Sequence, residues 1–145
     1  MDCGFYRPDG GLLSEMLGGE EVELRIACHA ERDLASPIVG FILRDHLGQT
    51  VLGDNTFYAY RHAPLKPKHG QEFTARFRFQ FPILAAGPYT LAPSINEGTQ
   101  AEHVQLHWIE DAVVLYSVES PVKLGIIGVP TQDIAIRLLD GNPDS

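Results

Sequence analysis

Basic residues are scarce in this chain. Eleven Lys and Arg face nineteen Asp and Glu, a formal charge of −8 over 145 residues. A chain of that charge repels phosphate backbones, which argues against general nucleic-acid binding. The same charge argues against an anionic membrane surface as a direct partner. Cysteine is scarcer still, with Cys3 and Cys28 alone and no Cys-x-x-Cys, so zinc and thioredoxin chemistry are not indicated. Two cysteines could pair, but two residues do not specify a bridge. The expected state is a pair of free thiols, with Cys28 a small buried apolar residue in a strand. No apolar run approaches the ~18 residues of a membrane span. The N-terminus lacks the charged and apolar regions of a secretory signal. The expectation is a cytoplasmic chain, or a fragment of something larger. Phosphate-cradling Gly-x-x-x-x-Gly-Lys and nucleophile-bearing Gly-x-Ser-x-Gly are both missing. No stretch carries a long helical period, and no internal repeat is visible.

What is present is a β pattern. Hydrophobic residues make up 44%, enough for one globular domain with a real core. Residues 1–19, rich in Gly and carrying Pro8, read as a linker or tether, with the domain proper at 20–139 and a polar tail at 140–145. Val22, Leu24, Ile26 and Cys28 alternate with Glu23, Arg25, Ala27 and His29, a half-buried strand. Strands are expected at 38–45 and 50–58, followed by a long surface loop to Gly70. Phe73, Ala75, Phe77, Phe79 and Phe81 alternate with Thr74, Arg76, Arg78 and Gln80, the cleanest period of two in the chain. Such patterning means an antiparallel sheet with one wet face. Tyr89, Leu91, Pro93 and Ile95 alternate in the same way, and Pro93 points to an edge or bulged strand. Further strands are expected at 113–118 and 132–139. About seven or eight strands at this spacing predict an all-β, immunoglobulin-like antiparallel sandwich.

Two stretches organise the rest. The first reads Gly40-Phe41-Ile42-Leu43-Arg44-Asp45-His46-Leu47-Gly48, then Gly53-Asp54-Asn55-Thr56 after a short apolar run. That is a hairpin and a polar stop. The second runs from His103 through Trp108, Glu110, Asp111 and Ala112 into an apolar strand. In this order, Gly40, Phe41, Leu43, Asp45, Gly48, Gly53, Asn55, Thr56 and the Trp108 to Ala112 segment resemble the C-terminal domain of the ATPase subunits of O-antigen polysaccharide ABC transporters, the Wzt type. The resemblance spans roughly 20–139. It implies a non-catalytic module that binds the finished, often capped, end of an O-polysaccharide and so licenses its export. The implied partners are that polysaccharide, an ATPase domain and a membrane subunit of the transporter. The implied location is the inner face of the inner membrane. The resemblance also implies a homodimer, in which the strand at 132–139, hinged on 125–130, is exchanged. No cofactor is expected.

No catalytic constellation emerges. His103 and His107 would suit a metal on a helix, but in a strand they stand about 13 Å apart at ~3.3 Å per residue, so no metal is expected. Glu110 and Asp111 are adjacent and point opposite ways if extended, which suits a turn better than acid–base work. Trp108 reads as packing at the end of the sandwich, with sugar stacking the sharper alternative. In immunoglobulin order the strands at 38–45, 88–97 and 113–118 lie together. Their outward residues form a shallow polar row, and the candidate carbohydrate contacts are Arg44, Thr90, Ser94, Asn96 and Tyr116, with Ala92 between them. The rival face carries Arg25, His29, Arg76 and Arg78, where two arginines two residues apart could grip a carboxylate or sugar hydroxyls. A protein–protein adaptor, with an exposed apolar patch, and a small glycan hydrolase using the Asp111 end remain as other classes.

Overall fold

The computed structural model describes residues 2–98, the backbone of 103–108, and residues 113–118, 127–128, 133 and 135–138. In chain order the strands are β1 (Asp2–Tyr6), β2 (Leu12–Leu13), β3 (Glu15–Met16), β4 (Glu21–His29), β5 (Pro37–Arg44) and β6 (Thr50–Asn55). A single helical turn, α1 (Phe57–Tyr60), precedes β7 (Glu72–Gln80), β8 (Ile83–Leu84), β9 (Gly87–Gly98), β10 (His103–Trp108), β11 (Val113–Ser117) and β12 (Ile127–Gly128). Sheet one has the order β2-β1-β4-β7, and sheet two the order β3-β11-β9-β5-β6, with β10 also on β9. β8 and β12 form a small third ladder. Among the described residues every pairing is antiparallel except β3 with β11. The protein is therefore an all-β sandwich.

The alternation seen in the sequence sets the core. Leu24 and Ile26 of sheet one and Leu43 and Leu91 of sheet two are each fully buried. Phenylalanines bridge the layers. The Phe41 ring meets Phe77 edge-on at 5.0 Å and stacks on Phe79 at 6.4 Å. Phe5 meets Phe79 and Phe81 edge-on at 6.4 and 6.0 Å. Such pairs add about 0.5–1.5 kcal/mol each beyond the area they bury. Phe73, Phe77 and Phe79 are only half-buried because β7 is the edge of its sheet. Cys3 and Cys28 are free, and Cys28 is buried.

Four expectations need correction. Residues 1–19 are not a tether. β1 pairs with β4 through Cys3–Ile26 and Phe5–Leu24, and Phe5 and Met16 are 1% exposed. The Pro8-Asp9-Gly10-Gly11 run is the turn of the β1–β2 hairpin: the Arg7 N–H donates to Gly11 O at 2.7 Å, and Gly10 takes φ 96°. A left-handed residue in a tight turn is where glycine is favoured. The strand holding Pro93 is not an edge, although its ladder with β10 does shift register, between Gln105 and His107. β9 is central: Pro93 stands opposite Phe41 of β5 on one side, and on the other it falls between the β10 ladder, which ends at Ser94, and the β11 ladder, which begins at Leu91. The strand expected at 50–58 ends at Asn55 and turns into α1. Of the strand expected at 132–139, Asp133 and residues 135–138 form no strand and are exposed; the rest lies outside the described residues, as does the tail at 140–145.

Candidate functional site

The residues that carry the resemblance build the β5–β6 hairpin. Asp45 is buried, and its Oδ1 accepts the N–H groups of Leu47 and Gln49, each at 2.9 Å. The loop is closed by Asp45 N–H to Gln49 O and Gly48 N–H to Asp45 O, both at 3.0 Å. A Cβ on Gly53 would lie 2.7 Å from Phe41 O, so only glycine fits that close approach. Thr56 ties the end of the hairpin back to β5. Its Oγ1 accepts the Val39 N–H at 3.0 Å, and its own N–H donates to Val39 O at 3.0 Å. Asn55 Oδ1 accepts the Phe57 N–H at 3.0 Å and starts α1. These positions hold the chain in shape, and Thr56 also lines a cavity.

The expected row exists on the outer face of sheet two. Cross-strand registers place Arg44, Thr90 and Val114 in one line, Ile42 and Ala92 in the next, then Gly40, Ser94 and Trp108, then Ile38, Asn96 and Gln105. Tyr116 stands opposite Pro88 at one end and is 49% exposed. The five candidates thus share a face but do not converge. Pro88 and Asn96 are eight residues apart, about 26 Å at ~3.3 Å per residue. Ala92 and Ser94 are buried, at 1% and 6% exposure, which removes Ser94 as a direct contact. Arg44, Thr90 and Asn96 are half-buried. β10 is a strand, so His103 and His107 lie on extended backbone. The side chains of 103–108 and all of Glu110, Asp111 and Ala112 lie outside the described residues. No group of three His, Cys, Asp or Glu suited to a metal occurs among the described residues.

The rival face is more strongly organised electrostatically. On the outer face of sheet one, Arg25 stands opposite Arg76, and Glu23 opposite Arg78. Two guanidinium groups facing each other repel, and Glu23 relieves that repulsion. Its Oε2 accepts Arg25 Nε and Nη2 at 3.2 and 3.0 Å. Its Oε1 lies 3.5 Å from Arg76 Nη1 and 3.8 Å from Arg78 Nε and accepts no hydrogen bond. The hydrogen bond from Arg25 holds the Glu23 carboxyl below its ordinary pKa; burial opposes this, and the charges of all three arginines add to it. The Arg25 guanidinium also lies 4.2 Å over the Tyr6 ring. His29 is exposed opposite Glu72 and stands apart from the cluster.

A cavity of about 430 Å³ opens beside this face, at β7, the edge strand of sheet one among the described residues. Its walls include Thr56, Tyr60, Leu65, Thr74, Arg76 and Arg78. Sequence reasoning singled out Arg76 and Arg78 but not the cavity, because Tyr60 and Leu65 sit in a segment that reads only as loop. The stacking partner Tyr6 was hidden by the reading of 1–19 as a tether, although Cys3 and Phe5 alternate ahead of a Pro-Asp-Gly turn.

Among the described residues no helix is long and apolar enough to cross a membrane. Among curated proteins, none matches the chain by sequence. Among solved structures, the chain is similar to one titled "Crystal structure of the C-terminal domain of wzt". That similarity has a TM-score of 0.78 at 18% identity, and it covers 93% of this chain and 81% of that one. At that identity the likeness speaks for the fold. The family model of the Wzt C-terminal domain matches residues 1–129, including the β1–β2 hairpin. With the hairpin motif, the sandwich and this match in agreement, the chain belongs to the Wzt C-terminal domain family.

Proposed function

We propose that this domain is the non-catalytic carbohydrate-recognition part of an O-antigen polysaccharide ABC exporter. It binds the end of the finished polysaccharide and so couples chain completion to export. In the whole transporter it works beside an ATPase domain and a membrane subunit, at the inner face of the inner membrane. The observation that carries the reading is the outer row of sheet two, where half-buried Arg44 of β5 and Thr90 and Asn96 of β9 share one sheet face and Tyr116 of β11 flanks them. A line of polar groups beside one aromatic suits an extended chain better than a single small molecule. Tyr116 offers a stacking surface and Arg44 charge-assisted donors, each worth about 1 kcal/mol. One such face binds weakly, and a homodimer gains through avidity on a polymer. Exposed Ile136 and Leu138 support the dimer, since a second copy would cover them.

The test is calorimetry against purified O-polysaccharide. Binding should fall about fivefold in Tyr116→Ala, and Thr90→Trp should block it while the melting curve is unchanged. Ser94 is too buried to serve as the blocking position. Unaltered binding in both variants would move the site off sheet two, and absence of binding by the unmodified domain would end the carbohydrate reading.

A further inference from the structure

We propose that the cavity at β7 is a second saccharide site, specific for a sugar that carries a carboxylate or phosphate. The inference rests on the carbohydrate reading above and concerns the other sheet. The first observation is charge placement. Although the chain is strongly acidic, the charged side chains among the described residues lining the cavity are two arginines, Arg76 and Arg78. The second is unspent donor capacity. Among the described residues, Glu23 is the only anion within ion-pair reach of Arg76 and Arg78, and it makes no hydrogen bond to either. Their side chains remain 63% and 77% exposed. Three guanidinium groups around one carboxylate leave a surplus of positive charge, and each planar fork can take two oxygens of an oxyanion. Glu21, Asp2 and Glu72 share this sheet face but stand at its ends, opposite Gln80, Ala27 and His29.

The third observation is shape. At about 430 Å³ the cavity is within the ordinary size range of small-ligand sites. Tyr60, half-exposed, gives it an aromatic wall for the apolar face of a sugar ring, and Thr56 and Thr74 put polar groups on its lining. A flat anionic surface, such as an acidic protein or a bilayer, would meet the arginines but leave the cavity empty. Charge beside an aromatic recess therefore specifies an anionic sugar.

The test compares trigalacturonic acid, galactose 6-phosphate, neutral galactotriose and inorganic phosphate by calorimetry at low salt, with intact O-polysaccharide measured in parallel. The acidic sugars should bind at least tenfold tighter than galactotriose and than inorganic phosphate. Arg76→Ala with Arg78→Ala should erase that preference, and the Lys pair at both positions should restore part of it. Tyr60→Ala should weaken the acidic sugars and leave phosphate unaffected. Both arginines are exposed, so an unchanged melting curve will certify the fold. Equal binding of acidic and neutral sugars, or a preference that survives the double variant, overturns the proposal, as does phosphate binding that matches the acidic sugars. Equal or tighter binding to phosphatidylglycerol vesicles also overturns it, in favour of a membrane contact. Should the unmodified domain bind intact polysaccharide but none of the acidic sugars, this site alone falls. Should it bind no saccharide at all, the carbohydrate reading falls with it.

Discussion

Glu23 shows how one residue can hold a whole face. It relieves repulsion between arginines that the register forces together, and its carboxyl is held below the ordinary pKa chiefly by the Arg25 hydrogen bond. Because its folded-state pKa is depressed, the stability it contributes is fully present above the unfolded carboxylate value of about 4.3. That stability is lost as pH falls through the lower folded value. Glu23→Gln should therefore destabilise the domain at neutral pH and flatten the acid limb of its stability curve; urea titrations from pH 2 to 7 measure both. Gly53 and Asp45 act by geometry. Gly53→Ala places a Cβ against Phe41 O, and Asp45→Ala strips the hairpin loop of two N–H acceptors. Each change should cost about 1–3 kcal/mol in urea unfolding. Neither should alter saccharide affinity at 25 °C, where the domain stays folded. Cys28, its thiol pushed up to about 11 by burial, should be alkylated only after unfolding.

Among the elements, β1 is the one the sequence hides best. Five residues are too few to display a period against a glycine-rich background, and the turn residues behind it look like a linker. The strand is structural because Leu24 and Ile26 need a neighbour across β4, and Phe5 supplies an aromatic joint to Phe79 and Phe81. A chain starting at residue 20 should lose cooperative unfolding by circular dichroism and bind hydrophobic dyes. A truncated domain as stable as the full chain would return 1–19 to the role of tether. β7 presents the opposite case. Its period of two is unbroken, and each face appears where the alternation puts it. Its place at the edge of the sheet, which opens the cavity, follows from the strand order and leaves no trace in its own residues.

At the scale of the molecule the open question is assembly. The described part of the last apolar segment lies exposed in a single chain, with Ile136 98% and Leu138 68% accessible. A second copy that paired this segment would bury both side chains and add a strand. Deletion of 131–145 should therefore convert a dimer into a monomer or an insoluble product, read by light scattering. A soluble truncated dimer would show that the contact lies elsewhere.

The amino-acid sequence by itself determined the class of this protein. Alternation of apolar and polar residues every second position leaves a buried sheet face as its only economical arrangement, and the Asp45–Gly48 and Gly53–Thr56 turns dictate one hairpin and with it the family. It also determined which side chains share a face, because a strand's period is two wherever the strand lies. The tertiary structure alone decided which of those side chains are reachable. Ser94 and Ala92 belong to the outward row by alternation, yet packing buries them. Arg25 and Arg76 are fifty-one positions apart, and only the β4–β7 register sets them opposite one another with Glu23 alongside. The cavity joins Tyr60, Leu65 and Arg76 from a turn, a loop and a strand edge. Accessibility and convergence depend on contacts between distant segments, and local patterning carries no information about them.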